Sequence, residues 1–386
     1  MSRMNLTTDP PHASVQTEHT NRATDSGTPP ALGRARMAAG SVLTARRWSA
    51  VMALLVAISA VLFLICLQFG TQWIGLGQIL DIVGQVLHDW TIDSDRIGTI
   101  GVILMQVRLP RVLLGFLVGA CLASVGVVLQ ALLRNPLADP YVLGVSSGAA
   151  LGVTLAILLG VGATVVTFSV LPLCGFAGGL LSLVVVYRMA LSYGRLPIHA
   201  LLLAGVILNA IFSAMIMFVT SIMEPNRSVG TMTWLMGTLT APSYPTLAIL
   251  ACYLLGGLFL LLKQARRLNV LTLGEESARS LGVDTEHVKR VVYVLSALIT
   301  GAVVSVSGMI GFIGMVIPHA VRFLLGADHR LLLPASACVG GIFLVIADTL
   351  ARTLLTPSEI PVGIVTALAG GPFFIYLLAW RKDRFA

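Results

Sequence analysis

Residues 200–222 read ALLLAGVILNAIFSAMIMFVTSI, a stretch without a single charged side chain. Apolar residues follow one another here and do not alternate with polar ones, so the segment lacks the two-residue period of a barrel strand. A helix of this length spans the ~30 Å hydrocarbon core of a bilayer, where backbone N–H and C=O groups must be satisfied within the segment itself. The stretch therefore reads as a membrane-spanning helix. About ten such stretches, each of roughly 20 residues, recur along the chain; they lie at 50–69, 112–133, 142–161, 164–187, 200–222, 246–262, 291–307, 309–325, 331–351 and 361–380. The expected fold is an all-α polytopic membrane protein.

Composition points the same way. Of 386 residues, 56% are hydrophobic and 11% charged, against about 25% charged in soluble domains, and the mean hydropathy is +0.91. A net charge of +8 raises the possibility of a nucleic-acid partner, but its distribution reports topology instead. An even number of spans places both termini on one side. With the termini inside, only Arg96, Arg108, Arg111, Arg227 and Arg352 of the 25 Lys and Arg residues fall outside, which is the positive-inside pattern. The expected location is the cytoplasmic membrane, multi-pass, with both termini cytoplasmic. Residues 1–47, rich in Ser, Thr, Pro and Asn, read as a disordered cytoplasmic tail, and 48–386 as the transmembrane domain, its first span an uncleaved anchor. Cys66, Cys121, Cys174, Cys252 and Cys338 sit singly inside apolar spans and read as packing residues.

Several sites of chemistry are missing. The chain holds only Lys263, Lys289 and Lys382 as lysines, and none follows a glycine, so no G-x-x-x-x-G-K-[ST] phosphate loop exists. No H-E-x-x-H helix, G-x-S-x-G elbow or Cys/His cluster is present. His199, His287, His319 and His329 are scattered near expected cytoplasmic ends and read as interfacial, so no metal site is expected. Ion-coupled carriers place ionisable groups deep in the membrane, yet the spans here are nearly bare of them. Asp348 is the main exception, and Arg352 four residues on suits an i,i+4 ion pair. Gln130 and Asn209 read as interhelical hydrogen-bonding residues. A membrane protein with neither an ion relay nor a nucleotide site must borrow its energy from a partner.

Two segments offer themselves to one. LGEESARSLGV at 273–283 lies between basic runs (Lys263, Arg266, Arg267 and Lys289, Arg290), hence on the cytoplasmic side. Acids Glu275 and Glu276 at its start, Arg279 later and Gly282 as a stop read as a short helix. Leu273, Ala278 and Leu281 form its expected apolar face, for a partner protein or for lipid. RNPLADP at 134–140 is bracketed by prolines that favour tight turns; it reads as a rigid connector or as a fixed element at the inner mouth of a pathway. RLPR at 108–111 opens the second span, which carries Gly115 and Gly119 at G-xxx-G spacing followed by Ser124 and Gly126. Gly308, Gly311 and Gly314 also suggest close packing. Ala138-Asp139, Leu143, Ser147 and Gly152 recur, at one constant offset, as Ala327-Asp328, Leu332, Ser336 and Gly341, a faint parallel repeat.

RLPR, RNPLADP with LGVSSGAALG (134–152), LLLAGV (201–206), WLMG (234–237), LGEESARSLGV, GFIGMVIPH (311–319), IADTLARTLL (346–355) and PVGIVTALAGGPFF (361–374), in this order, resemble the permease family of type II ABC importers for ferric siderophores, haem and cobalamin. The resemblance covers about residues 100–382. It implies ten helices per subunit, two permease subunits (a homodimer or a pair of close homologues) around a central pathway, two ATP-binding subunits that use ATP and Mg, and an extracytoplasmic substrate-binding protein. The permease itself is then non-catalytic and binds no cofactor. The segment matching the family's coupling helix supplies Leu273, Gly274, Glu275, Glu276, Ala278, Arg279, Leu281 and Gly282. Arg108, Arg111 and Arg352 match arginines that meet acidic residues of the binding protein. Asn135 and Leu137 match the cytoplasmic gate, joined by Ile198 and His199, where the family carries small polar residues. The long polar N-terminal tail also departs from the family. The expected cargo is an iron chelate, ferric siderophore or haem; a cobalamin importer is the alternative, and an ion-coupled secondary transporter the remote one.

Overall fold

A computed structural model describes residues 44–380, apart from 71, 90–93, 162–163, 166–167 and 193. Residues 1–43 of the expected 1–47 tail and the cytoplasmic C-terminus at 381–386 lie outside the described residues; Thr44 caps α1, and Ala45, Arg46 and Arg47 already belong to that helix. The helices are α1 (Ala45–Gln68), α2 (Leu76–Asp89), α3 (Ser94–Val102), α4 (Leu109–Leu132), α5 (Val145–Leu158), α6 (Val170–Ala190), α7 (Ile198–Ser221), α8 (Pro225–Leu235), α9 (Tyr244–Lys263), α10 (Ala265–Leu271), α11 (Glu275–Ser280), α12 (Thr285–Ser307), α13 (Ile313–Leu325), α14 (His329–Thr353) and α15 (Val362–Trp380). A two-residue antiparallel pairing, Thr164–Val165 with Phe168–Ser169, joins α5 to α6.

Each expected span overlaps one of α1, α4, α5, α6, α7, α9, α12, α13, α14 and α15, although the one at 164–187 becomes helical only at Val170, after the strand pairing. Seven helices among the described residues are long and apolar enough to cross a bilayer alone, and α5 and α13 are shorter. The expected span at 142–161 loses its first residues to a 3-10 turn, Pro140–Leu143. The one at 309–325 begins late because Phe312 holds a left-handed conformation ahead of α13. Such irregular backbone persists at membrane depth only where protein covers it. The span at 112–133 instead extends backwards. A π-helical turn, Ile103–Arg108, runs into α4, and Leu109 N–H donates to Leu104 O, five residues back. The wide turn suits Pro110, which has no N–H and whose ring would clash with a carbonyl four residues earlier.

Burial does not follow hydropathy. The most apolar window of α1 averages 3.0 with 17% of it buried, whereas that of α14 averages 2.0 with 72% buried. Lipid is as apolar as leucine, so the interior is chosen by close packing of small residues. α4, α12 and α14 are the most buried of the seven long helices. A Cβ on Gly119 would collide with the backbone of Gly340 in α14, and one on Gly126 with the backbone of Gly314 in α13. Gly115 faces the Leu239 side chain. Of the Gly308, Gly311 and Gly314 set, Gly308 abuts the Trp234 carbonyl and Gly314 abuts Pro140, but Gly311 has open space.

The helices deliver their ends to two faces. One bears the RNPLADP loop, the 192–197 loop, α10, α11 and the starts of α12 and α14, joined by Leu196 N–H to Glu286 and Asn269 to Asp328. The other bears RLPR, α8 and the ends of α12 and α14, joined by Tyr244 Oη to Met105 O and Thr238 N–H to Ser307 O. The repeated Asp139 and Asp328 do the same work on the first face: each accepts from the backbone N–H two residues on, of Tyr141 and of Arg330.

Overpacking a tight core contact costs about 1–3 kcal/mol or more. Gly126→Val should therefore lower the melting temperature of the detergent-purified protein clearly, and Gly311→Ala, with nothing within 4 Å of the added methyl, should leave it unchanged. Equal melting temperatures would refute the packing assignment.

Candidate functional site

α11 is too short to be stable by itself. It is held by its ends and its underside. Gly274 (φ 114) and Gly282 (φ 79) bracket it in backbone conformations that other residues adopt only with strain. Ala278 is fully buried beneath the helix. The expected single apolar face is thus divided. Ala278 points into the protein, and Leu273 and Leu281, 65% and 64% exposed, project outwards from the two ends. Glu276 is exposed and Glu275 half-buried.

Below α11 lies an ion cluster that the sequence reading did not single out. Lys289 Nζ, 3% exposed, lies 3.2 Å from Glu275 Oε2 and 2.7 Å from Glu286 Oε1. Arg279 Nη2 is 3.5 Å from Glu275 and 3.4 Å from Glu286, and its Nε donates to Thr285 Oγ1. Glu275 and Arg279 stand at i,i+4 and Glu286 and Lys289 at i,i+3, spacings visible in the sequence. Lys289 was read there only as a marker of topology.

On the same face, Asn135 Oδ1 accepts from the Leu137 N–H, and the Leu137 side chain is exposed. Burial pushes the Asp139 carboxyl up to about 6. Arg134 reaches towards α11: its Nη1 lies 3.9 Å from where a Gly274 Cβ would be. The loop is anchored behind by Gln130, whose Nε2 donates to Met315 O, the interhelical role expected of it. The turn at Val142 and Leu143 packs on Gly205 of α7. His199 in the first turn of α7 is exposed and Ile198 half-buried. The proposed gate residues therefore share one face but stand on separate elements. Asn209 differs from expectation. It lies exposed on the outer side of α7 among Val206, Ile207 and Ile211, and no hydrogen bond to it is formed among the described residues.

The opposite face carries a second cluster. Asp348, 2% exposed, is held bidentately by Arg111 (Nη2–Oδ1 2.9 Å) and lies 3.1 Å from Arg352 Nε, so the i,i+4 pair read from the sequence is present. Arg111 Nη1 also meets Glu359 at 2.9 Å, and Glu359 is half exposed. Arg108 is buried, donating to the Leu67, Gln68 and Gln72 carbonyls around the end of α1. The three arginines expected to receive a docking partner are thus already engaged inside this chain, and Arg111 alone shares its guanidinium with an exposed carboxylate. The same face holds a cavity of about 450 Å³ lined by Trp234, Thr238, Ser243 and Thr246 among others.

The FecCD transport family model matches residues 40–380. The chain is 46% identical over 287 residues to a cobalamin import system permease of Halobacterium salinarum, covering 74% of this chain and 76% of that one. It is 43% identical over 290 residues to a hemin transport system permease of Yersinia pestis, covering 73% and 84%. A metal-chelate type ABC transporter solved in an inward-facing conformation superposes with a TM-score of 0.72 at 32% identity, covering 86% of this chain and 99% of its own. The chain belongs to the FecCD transport family and is a multi-span ABC importer permease.

Removing one member of a buried ion pair costs about 3–5 kcal/mol, because the other charge is left unpaired; exposed pairs are worth about 0–1 kcal/mol. Asp348→Asn should therefore destabilise the protein strongly, leaving Arg111 and Arg352 facing each other, whereas Glu359→Gln should change its thermal stability little. Similar melting temperatures for the two variants would show that Asp348 is not the hub of this cluster.

Proposed function

We propose that this FecCD-family permease is one half of the membrane channel of an ATP-driven importer for a large metal chelate in the cytoplasmic membrane of a bacterium. The observation that carries the reading is α11: a short helix fixed from below, with two leucines projecting from its ends, in a chain that has no phosphate loop. α11 is read as the contact with a separate ATP-binding subunit, which binds ATP and Mg and performs the hydrolysis. The permease holds no cofactor of its own. The charge asymmetry supports an orientation with the α11 face, the tail and the C-terminus in the cytoplasm.

A second permease copy supplies the other wall. The outer side of α7 presents Leu203, Val206, Ile207, Ile211 and Phe218 with Asn209 among them. A lone polar side chain on such a face suits a protein or water-filled neighbour better than lipid. A passage between copies has room for cargo that a 450 Å³ cleft within one chain would confine. The substrate class is an iron chelate, ferric siderophore or haem, in keeping with the haemin-named relative. The second reading is cobalamin, favoured by the 46% identity to a permease named for it.

On the far face Arg111 is the arginine best placed to meet an acidic group of a substrate-binding protein, which would replace Glu359 as its partner. Arg108 and Arg352 position that face from beneath.

The test is uptake by proteoliposomes holding the permease with its ATP-binding subunit, offered ferric siderophore, haemin and cobalamin with the binding protein. ATP-dependent uptake of one of them is expected. Leu281→Asp, at an exposed position, should abolish it without loss of membrane insertion. Uptake in vesicles that lack an ATP-binding subunit would overturn the reading. Because Arg111 also holds buried Asp348, the docking test is made at its exposed partner. Glu359→Gln frees Arg111 Nη1 and should strengthen association with the binding protein, and more so at low salt, because rim charges are screened over about 8–10 Å; unchanged association at low salt would return Arg111 to a purely structural role.

A further inference from the structure

The ion cluster beneath α11 continues into the loop that leads to α7. Glu286 divides its two carboxylate oxygens. Oε1 is 2.7 Å from Lys289 Nζ, and Oε2 accepts the Leu196 N–H at 2.9 Å. Next to it Arg290 donates to the Gly194 carbonyl. The receiving segment is compact: Ser192 and Arg195 exchange backbone hydrogen bonds of 3.0 and 2.9 Å, and Leu196 is 1% exposed. Pro197 follows and its carbonyl accepts from Leu201 N–H in the first turn of α7. From Glu275 on α11 through Lys289 and Glu286 to Leu196 there is an unbroken chain of charged and backbone contacts, ending at the element that carries Ile198 and His199.

We propose that Lys289 and Glu286 are positioning residues that transmit displacement of α11 to the 192–197 loop and so to the start of α7. The inference rests on the reading of α11 as the ATPase contact. Its physical basis is the kind of contact used. An ion cluster built around one buried lysine gives little net stability over well-packed apolar side chains of similar volume, because desolvation offsets the Coulomb gain. Its contacts are, however, directional and fixed in length. Apolar packing at this point would let α11 slide over the start of α12; a lysine shared between Glu275 and Glu286 makes the two elements move together. The loop is held at two adjacent points, the Leu196 N–H and the Gly194 carbonyl, so it follows as a unit. Arg279 closes the cluster from the exposed side by spanning the same two carboxylates.

The test uses the full complex with its ATP-binding subunit, bearing spin labels on single cysteines at Ser277 and at Ser192. In the otherwise unaltered protein both labels should shift when nucleotide binds. In Lys289→Met the Ser277 label should still shift and the Ser192 label should not. The complex should assemble and hydrolyse ATP while transport per ATP falls by about tenfold, and Lys289→Arg should restore most of it. Glu286→Gln, which keeps an acceptor for Leu196 N–H, carries the same test if Lys289→Met fails to assemble, and its transport should lie between the two. A Ser192 shift of full amplitude in Lys289→Met, or in Glu286→Gln when that variant stands in, overturns the link and leaves the reading of α11 intact. A Ser277 label that ignores nucleotide in the unaltered protein overturns that reading and the link with it.

Discussion

Helix α4 can lie at the centre of this molecule because its glycines let it touch the backbones of its neighbours. Gly119 against Gly340 and Gly126 against Gly314 bring α4 to α14 and α13 at separations that any side chain would prevent. With no aqueous phase to drive apolar surfaces together, such contacts are a main source of cohesion between helices in lipid. They also fix the rotation of each helix. Once Gly119 and Gly126 face inward, Gln130 must face Met315, and Arg111, at the other end of α4, must face Asp348. The polar seams on both faces therefore follow from a packing decision made at the middle of the bilayer.

The two ion clusters that result differ in what they do. At the RLPR face, Asp348 sits between Arg111 and Arg352 with Arg108 tied to carbonyls close by, which closes the end of α1 onto α4 and α14. The carboxylate is central because only one acid is buried among several guanidinium groups, with Glu359 at the edge. At the other face Lys289 is the single buried cation between two acids. One arrangement clamps the ends of long interior helices. The other lies between a surface helix of six residues, Glu275–Ser280, and the loop entering α7, so it joins two segments that are distant in sequence. That makes it the better placed of the two to relay a movement.

The sequence carried the spans and the pairings that are local. Continuous apolar runs located every expected span, and the four-residue spacing of Asp348 and Arg352 announced their pairing. Contacts between distant segments were a different matter. Nothing in the spacing of Arg111 relates it to Asp348, and the docking role expected of these arginines came from the resemblance alone, which carries no information on their partners within one chain. The direction of Ala278 was hidden for another reason: in a helix of fewer than two turns, three apolar residues do not define one side, and the flanking turns at Gly274 and Gly282 decide which points inward. Asn209 was misread because its polarity suggested a partner on a neighbouring helix, whereas its side chain faces away from the rest of the chain. The boundaries at 142 and 309 erred by a few residues because Pro140 and Phe312 impose irregular backbone that apolar composition does not reveal.

The smallness of α11 is itself informative. A helix this short gains too few hydrogen bonds to offset its nucleation cost, so its conformation is maintained by the glycine turns, by Ala278 and by Lys289. A segment built that way does not reshape itself to fit a partner; it is presented as a preformed knob, with Leu273 and Leu281 as apolar pegs and Glu276 between them. Ordering entropy is then spent at folding and not at each association. On the proposed reading of α11, force applied to the pegs would not be absorbed by bending within α11 but would pass to what holds it, the start of α12 and, through Glu286, the segment leading into α7. Rigid presentation on the outside and a directional ionic contact on the inside are two parts of one arrangement, and each would be of little use to a transporter without the other.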